Sequence, residues 1–304
     1  MLRIFISFYL FNLCLSTPLQ KKADNLLTRH ARSVAGREIG CTDMDSVPGD
    51  YIYSSIGGQQ VCGFFLIGLT DQLVEIEFTS FNIGCQDGGL LSIVDGWELQ
   101  GQYFPSEQDH QVPIDSRFNS FCGEDAPKKF YISSQNVALL QFRIPVIGQG
   151  FQVKVNFPQN PEPCNAVSIF QEGEYTLSNY GKRRNCSLSI IYPERIEFEE
   201  VNVGSNPDIP MGLRRAGTIE RCRTRKGGDY VEVRDGNGMD PMTMWKVGHF
   251  CGMETPAGAL FYDLGCQHSV VREYRLFTSP LLKYEFGIFN PSQRQEPRTQ
   301  SEPD

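Results

Sequence analysis

The sequence predicts an all-β protein made of two tandem antiparallel β-sandwiches. Three observations carry that reading. Apolar residues recur with period two nearly throughout, turn residues punctuate the runs, and one order of cysteine, strand, Asp-Gly turn and Phe-Cys-Gly closure occurs twice. A length of 304 residues suits two domains at roughly 150 residues each. With 40% hydrophobic and 21% charged residues the chain is a folded globular one, which excludes global disorder. Its formal charge of −8 argues against general nucleic-acid binding, which needs a basic face to neutralise phosphates.

Residues 1–16 read as a secretory signal peptide. Arg3 precedes the apolar stretch from Ile4 to Leu15, and the small residues Ser16 and Thr17 follow. No apolar run in the chain reaches the roughly 18 residues that a membrane span requires. Cleavage near Ser16 removes Cys14 and leaves the rest of the chain in an oxidising compartment. Residues 17–40 are polar and mixed, a flexible lead-in in which Arg29-His30-Ala31-Arg32-Ser33 has the spacing of a convertase site.

The first sandwich is expected over residues 41–157. Val74, Ile76 and Phe78 alternate with Glu75, Glu77 and Thr79; Phe151, Val153, Val155 and Phe157 alternate with Gln152, Lys154 and Asn156, the pattern of a half-buried strand. Gly57-Gly58, Gly88-Gly89 and Asp95-Gly96 mark turns. Here Cys85 leads to Ser92-Ile93-Val94-Asp95-Gly96 and then to Phe121-Cys122-Gly123. The proline-rich run from Phe157 to Pro163 is the natural boundary, since proline cannot donate to a ladder. The second sandwich, 164–289, repeats the order: Cys222, then Val231-Glu232-Val233-Arg234-Asp235-Gly236, then Phe250-Cys251-Gly252. Residues 290–304 have too little apolar surface to bury and are expected to be disordered.

Of ten cysteines, nine remain after Cys14 is removed. Paired in order, the first eight close a short and then a longer loop, twice: Cys41–Cys62, Cys85–Cys122, Cys164–Cys186 and Cys222–Cys251. That repetition favours the scheme, although sequence alone does not fix connectivity. Zinc is disfavoured because no C-x-x-C pair occurs and His30, His110, His249 and His268 are scattered. No metal or other cofactor is expected. Cys266 is left over, as a free buried thiol, an intermolecular bridge or a sign of different pairing.

The ordered cysteines, Asp-Gly turns and Phe-Cys-Gly closures resemble two tandem CUB domains, which are jelly-roll sandwiches. More specific runs resemble the corticotropin-releasing factor-binding protein family. They include Val94 to Gly101, Phe104 to His110, Ser133 to Ala138, Asn185 to Pro193, and Met239-Asp240-Pro241, within a resemblance running from about Cys41 to Phe289. It implies a secreted carrier that binds peptides of the corticotropin-releasing factor, urocortin or diuretic-hormone type and withholds them from receptors. It also implies consecutive disulfide pairing. The family closes a fifth loop near its C-terminus; no matching cysteine precedes Asp304, which leaves Cys266 as the expected free thiol.

The resemblance places ligand contacts on either side of the first mature cysteine, at Arg37 and Asp43, although both also read as solvated residues of the lead-in. Trp97, Tyr103 and Phe104 are candidate aromatic anchors for an amphipathic helix, or equally the packing of a hairpin over the core. Asn185-Cys186-Ser187 is a glycan acceptor, with a rapidly formed bridge at Cys186 as the competing event. Arg214, Arg215, Arg221, Arg223, Arg225 and Lys226 read as a solvated loop, as a proteolytic site after Arg214-Arg215, or as a polyanion patch. Many CUB domains bind calcium through a carboxylate in the place of Asp229, but one aspartate falls short of about six oxygen ligands, and Asp229 also reads as a strand start facing solvent. The rival function is an extracellular adaptor that holds a protease or matrix protein in a calcium-linked way. No H-E-x-x-H, G-x-S-x-G or P-loop pattern is present, so no enzyme is expected, and only a Ser-His-Asp site assembled in space stays open. Nothing in the sequence sets the oligomeric state.

Overall fold

The structure, a computed structural model, describes residues 36–288 apart from 126, 128–129, 193, 204–218, 221–228, 255–259, 265–267 and 275–281. The expected signal peptide, the convertase spacing, Arg214, Arg215, Cys222, Cys266 and the 290–304 tail lie outside the described residues.

The N-terminal half contains β1 (Arg37–Glu38), β2 (Thr42–Asp45), β3 (Gly49–Ser54), β4 (Cys62–Ile67), β5 (Glu75–Asn82), β6 (Leu90–Asp95), β7 (Trp97–Leu99), β8 (Gln102–Phe104), β9 (Phe118–Phe121), β10 (Phe130–Ile132), β11 (Val137–Arg143) and β12 (Gly150–Asn156). Two five-stranded sheets result, ordered β1-β3-β12-β5-β10 and β2-β4-β11-β6-β9, with β7 and β8 forming a separate hairpin. Ordered pairing thus begins before residue 41, inside the expected lead-in: β1 runs parallel to β3, and the chain then crosses to the other sheet as β2, parallel to β4.

The alternating strand β12 buries Phe151, Val153 and Val155 and exposes Gln152 and Lys154. Strands of the facing sheet do something else. In β4, Phe64 and Leu66 enter the core between the two sheets, whereas Phe65 and Ile67 are buried on the opposite face. In β11, Ala138, Leu140 and Phe142 point one way and Val137 and Leu139 the other. Continuous apolar runs are what a sheet covered on both faces requires.

The C-terminal half contains β13 (Asn165–Ser168), β14 (Gly173–Leu177), β15 (Cys186–Ile190), β16 (Glu194–Val203), β17 (Ile219–Glu220), β18 (Tyr230–Gly236), β19 (Trp245–Glu254), β20 (Leu260–Asp263), β21 (His268–Tyr274) and β22 (Leu282–Ile288). They form one continuous path, β13-β15-β21-β18-β19-β16-β22-β14, with β17 beside β19 and β20 beside β16. The long β19 is the corner. Its first part, Trp245 to Phe250, pairs with β18, and its last residues, Gly252 to Glu254, pair with β16. The two arms close on a single core that includes Leu177, Leu188, Ile196, Phe198, Val233, Phe250 and Val271.

Disulfides Cys41–Cys62, Cys85–Cys122 and Cys164–Cys186 are present. Cys251 is also disulfide-bonded. Asp229 is buried at the start of β18, which corrects the reading of a solvent-facing strand start. Among the described residues, no group of three or more His, Cys, Asp or Glu side chains is placed to hold a metal.

Candidate ligand-binding site

Arg37 and Asp43 sit on β1 and β2, the outermost strands of the two N-terminal sheets, with the Cys41–Cys62 bridge between them. Neither is a loose lead-in residue. Arg37 Nη1 donates to Asp45 Oδ2, and its guanidinium lies 5.7 Å from the centre of the Tyr51 ring. Asp45 is buried, and its Oδ1 accepts from the backbone N–H of Ser46 and Val47 at 2.9 and 3.0 Å. Asp43 Oδ1 accepts from Met44 N at 3.0 Å. The pair Arg37–Asp45 therefore ties the edges of the two sheets together while part of the cation stays at the surface, the side chain being 30% exposed. Ile56, Val61 and Ile147 are exposed on the β3–β4 and β11–β12 loops, and Val61 directly precedes the bridged Cys62. A partly exposed cation and carboxylates thus lie along the β1–β2 edge, and exposed apolar residues lie on the loops before β4 and before β12.

The aromatic trio lies elsewhere. Trp97 and Phe104 are each 1% exposed, so they cannot be surface anchors for a ligand in this state. Both are packed in the β7–β8 hairpin, but not over their own sandwich's core as the sequence reading had it. They join Met44, Phe65, Ile67, Val94, Val137 and Leu139 from the first half and Val167, Ile169, Ile191, Tyr192 and Met239 from the second in one apolar cluster. Trp97 Nε1 donates to the carbonyls of Leu66 and Ala138, both at 3.2 Å, and its ring meets Phe65 edge-on at 5.7 Å. Gly96 makes the turn possible: at φ +111° a Cβ would lie 2.2 Å from Phe104 O. Tyr103 is half-buried, edge-on to Phe118 at 6.2 Å.

Polar groups frame the same interface. The Asn136 side chain acts like a strand residue toward β13, donating to Val167 O and accepting from Val167 N, both at 2.9 Å. Gln102 Oε1 accepts from Met239 N at 2.8 Å. Asp109 and Arg272 form a fully buried ion pair across the junction, with Arg272 Nε 2.7 Å from Asp109 Oδ1. Asn185 Nδ2, the atom that a glycan would occupy, donates to Gln108 O at 3.2 Å. Sequence reasoning missed Asp45, and it missed Asn136 and this ion pair because those are defined by partners far along the chain.

A serine, a histidine and an aspartate do meet in space. His110 Nε2 lies 3.0 Å from Ser134 Oγ and 3.3 Å from Asp95 Oδ2. Nucleophilic activation needs the serine on one ring nitrogen and the carboxylate on the other. Here both share Nε2, while Nδ1 lies 2.9 Å from Val112 N and 3.1 Å from Val112 O. This is not the geometry of an activated serine.

A family model described as the corticotropin-releasing factor binding protein N-terminal domain matches residues 33–159, and one for the C-terminal domain matches residues 166–278. The chain belongs to the corticotropin-releasing factor-binding protein family. The mouse corticotropin-releasing factor-binding protein is 34% identical over 236 residues, which is 78% of this chain and 71% of that one. The human protein is 34% identical over 237 residues, with the same coverage of both chains. Among solved structures, the CUB1-EGF-CUB2 domain of human MASP-1/3 aligns with 79% of this chain and 98% of its own, at 12% identity and a TM-score of 0.28. That likeness is too slight to add to the sheet topology. Within the family frame, the gap between the matched segments holds Pro161 and Pro163.

Proposed function

We propose that this protein binds a helical peptide hormone of the corticotropin-releasing factor, urocortin or diuretic-hormone type outside the cell and limits its receptor signalling. Family membership across both halves of the chain carries this reading. Curated relatives named for binding corticotropin-releasing factor, at 34% identity, give the ligand class. Disulfide bonding in both halves supports an oxidising, extracellular setting. The mechanism is mass action: bound peptide cannot dock to its receptor, and free hormone falls as the ratio of carrier concentration to dissociation constant rises.

The margin around β1 and β2 is the proposed contact surface. Arg37 and Asp43 steer and orient a charged peptide, while Ile56, Val61 and Ile147 offer apolar contact to one face of an amphipathic helix. Residues 41–157 and 164–289 are taken as the two folded units, and Asn185 as the glycan acceptor. Titration of the purified protein with a fluorescent corticotropin-releasing-factor-like peptide tests the function. Saturable binding is expected, weakened about tenfold or more by Arg37→Ala, measured where circular dichroism shows that the variant is still folded. Absence of binding at micromolar peptide would remove the proposal.

A further inference from the structure

Where the two halves meet, a pocket of about 200 Å³ opens between Asp109, His110, Val112, Ser134 and Gln135 of the first half and Arg184 of the second. Val112 and Ser134 are exposed, so solvent reaches it. Arg184 decides its chemistry. The side chain is 10% exposed, its Nη2 lies 3.3 Å from Glu162 Oε2, and the Tyr180 ring covers the guanidinium at 5.5 Å. Its Nε–H is buried and has no partner. An unmet donor on a desolvated cation is costly and demands an acceptor.

The carboxylates nearby are committed elsewhere. Asp109 is held by Arg272 and by Ser106, and Glu162 is shared with Lys182. Asp95 takes the Ser134 N–H and hydroxyl at 2.8 and 3.1 Å and faces His110 Nε2. Gln135 Oε1 accepts from Asn160 Nδ2, Cys164 N and Asn165 N, which leaves its amide Nε2 as a second donor. Among the described buried side-chain atoms of this lining, the one without a partner is therefore a donor on a cation, beside the aliphatic wall of Val112. A volume of about 200 Å³ is below the ~300–1,000 Å³ of drug-sized ligand sites and takes one small group, not a helix. The geometry points to a binding site for a short aliphatic carboxylate, held by Arg184. It stands independently of hormone binding.

Two sources share that chemistry, a free carboxylate metabolite and an Asp or Glu side chain of a bound peptide. The full chain is titrated with glutarate at constant ionic strength, with thermal midpoint and calorimetry as readouts. Saturable stabilisation is expected, and a loss of affinity of about tenfold in Arg184→Gln and in Val112→Glu, which puts a competing carboxylate on an exposed wall without touching the core. In parallel, Arg184→Gln is tested against a fluorescent corticotropin-releasing-factor-like peptide and against the same peptide with its acidic residues changed to amides. Weakening confined to the acidic peptide assigns the site to a peptide carboxylate; glutarate binding with peptide affinity unchanged assigns it to a free one. Failure of glutarate to saturate at tens of millimolar, with equal peptide affinities throughout, would overturn the site. If no peptide binds the wild type, the proposed function fails while the glutarate arm still decides this pocket.

Discussion

Asp109 and Arg272 are withdrawn from water together, one from each sandwich, with both side chains fully buried. Removing one partner strands the other's charge, and breaking such a pair costs about 3–5 kcal/mol. Asp109→Ala should therefore lower the urea midpoint by a corresponding amount, while the apolar double replacement Asp109→Leu/Arg272→Met should recover much of it. A double variant as unstable as the single one would show that lost packing, not the stranded charge, is the cause. His268 gives a pH dependence. It is buried with Nδ1 2.6 Å from Gly238 O, and burial holds its pKa below the usual imidazole value, opposed in part by that carbonyl. The unfolded chain then binds the proton more readily than the native one. Stability is intact above the ordinary value of about 6.5 and falls as pH drops through it, by at most about 1.4 kcal/mol per unit. His249, lowered by burial and by Lys246, acts in the same direction. Urea midpoints between about pH 7.5 and 5.5 should slope less in His268→Gln than in the wild type.

At the level of elements, the strands with a solvent face were legible and the doubly buried ones only half so. Period two in β12 gave its inner residues directly. In β4 and β11 the runs Phe64-Phe65-Leu66-Ile67 and Val137-Ala138-Leu139-Leu140 carry no alternation, and that was the available signal for a second covering layer. Nothing in the sequence says which surface covers them, so Trp97 and Phe104 were ambiguous until the cluster was seen. Asp45 could have been found, since it shares a strand face with Asp43 two positions earlier. The corner in β19 could not, because it depends on which strands its two ends pair with. Phe65 faces away from the core between its own two sheets. Phe65→Ala should nonetheless cost about 3–5 kcal/mol, as for a large core side chain. A loss below ~1 kcal/mol in equilibrium unfolding would mean the covering half is absent in solution.

For the whole molecule, three apolar clusters run in series: one inside each sandwich and one between them. Interfaces of this kind couple the parts they join, so the protein should unfold in one calorimetric transition whose van't Hoff and calorimetric enthalpies agree. Two resolved peaks would show that the halves melt independently. The same continuity separates two roles that the sequence could not tell apart. Exposed residues beside β1 and β2, such as Val61, are open to solvent, whereas Trp97 and Phe104 are buried and act on stability first.

The covered face of β4 and β11 also matters before the chain is finished. A ribosome delivers the N-terminal half first, at about 5–20 residues per second, so Phe65, Ile67, Val137 and Leu139 wait on the order of ten seconds for their cover. During that interval the nascent sandwich shows a greasy sheet to its surroundings. Chaperone capture of the nascent chain should concentrate there, on the half already made.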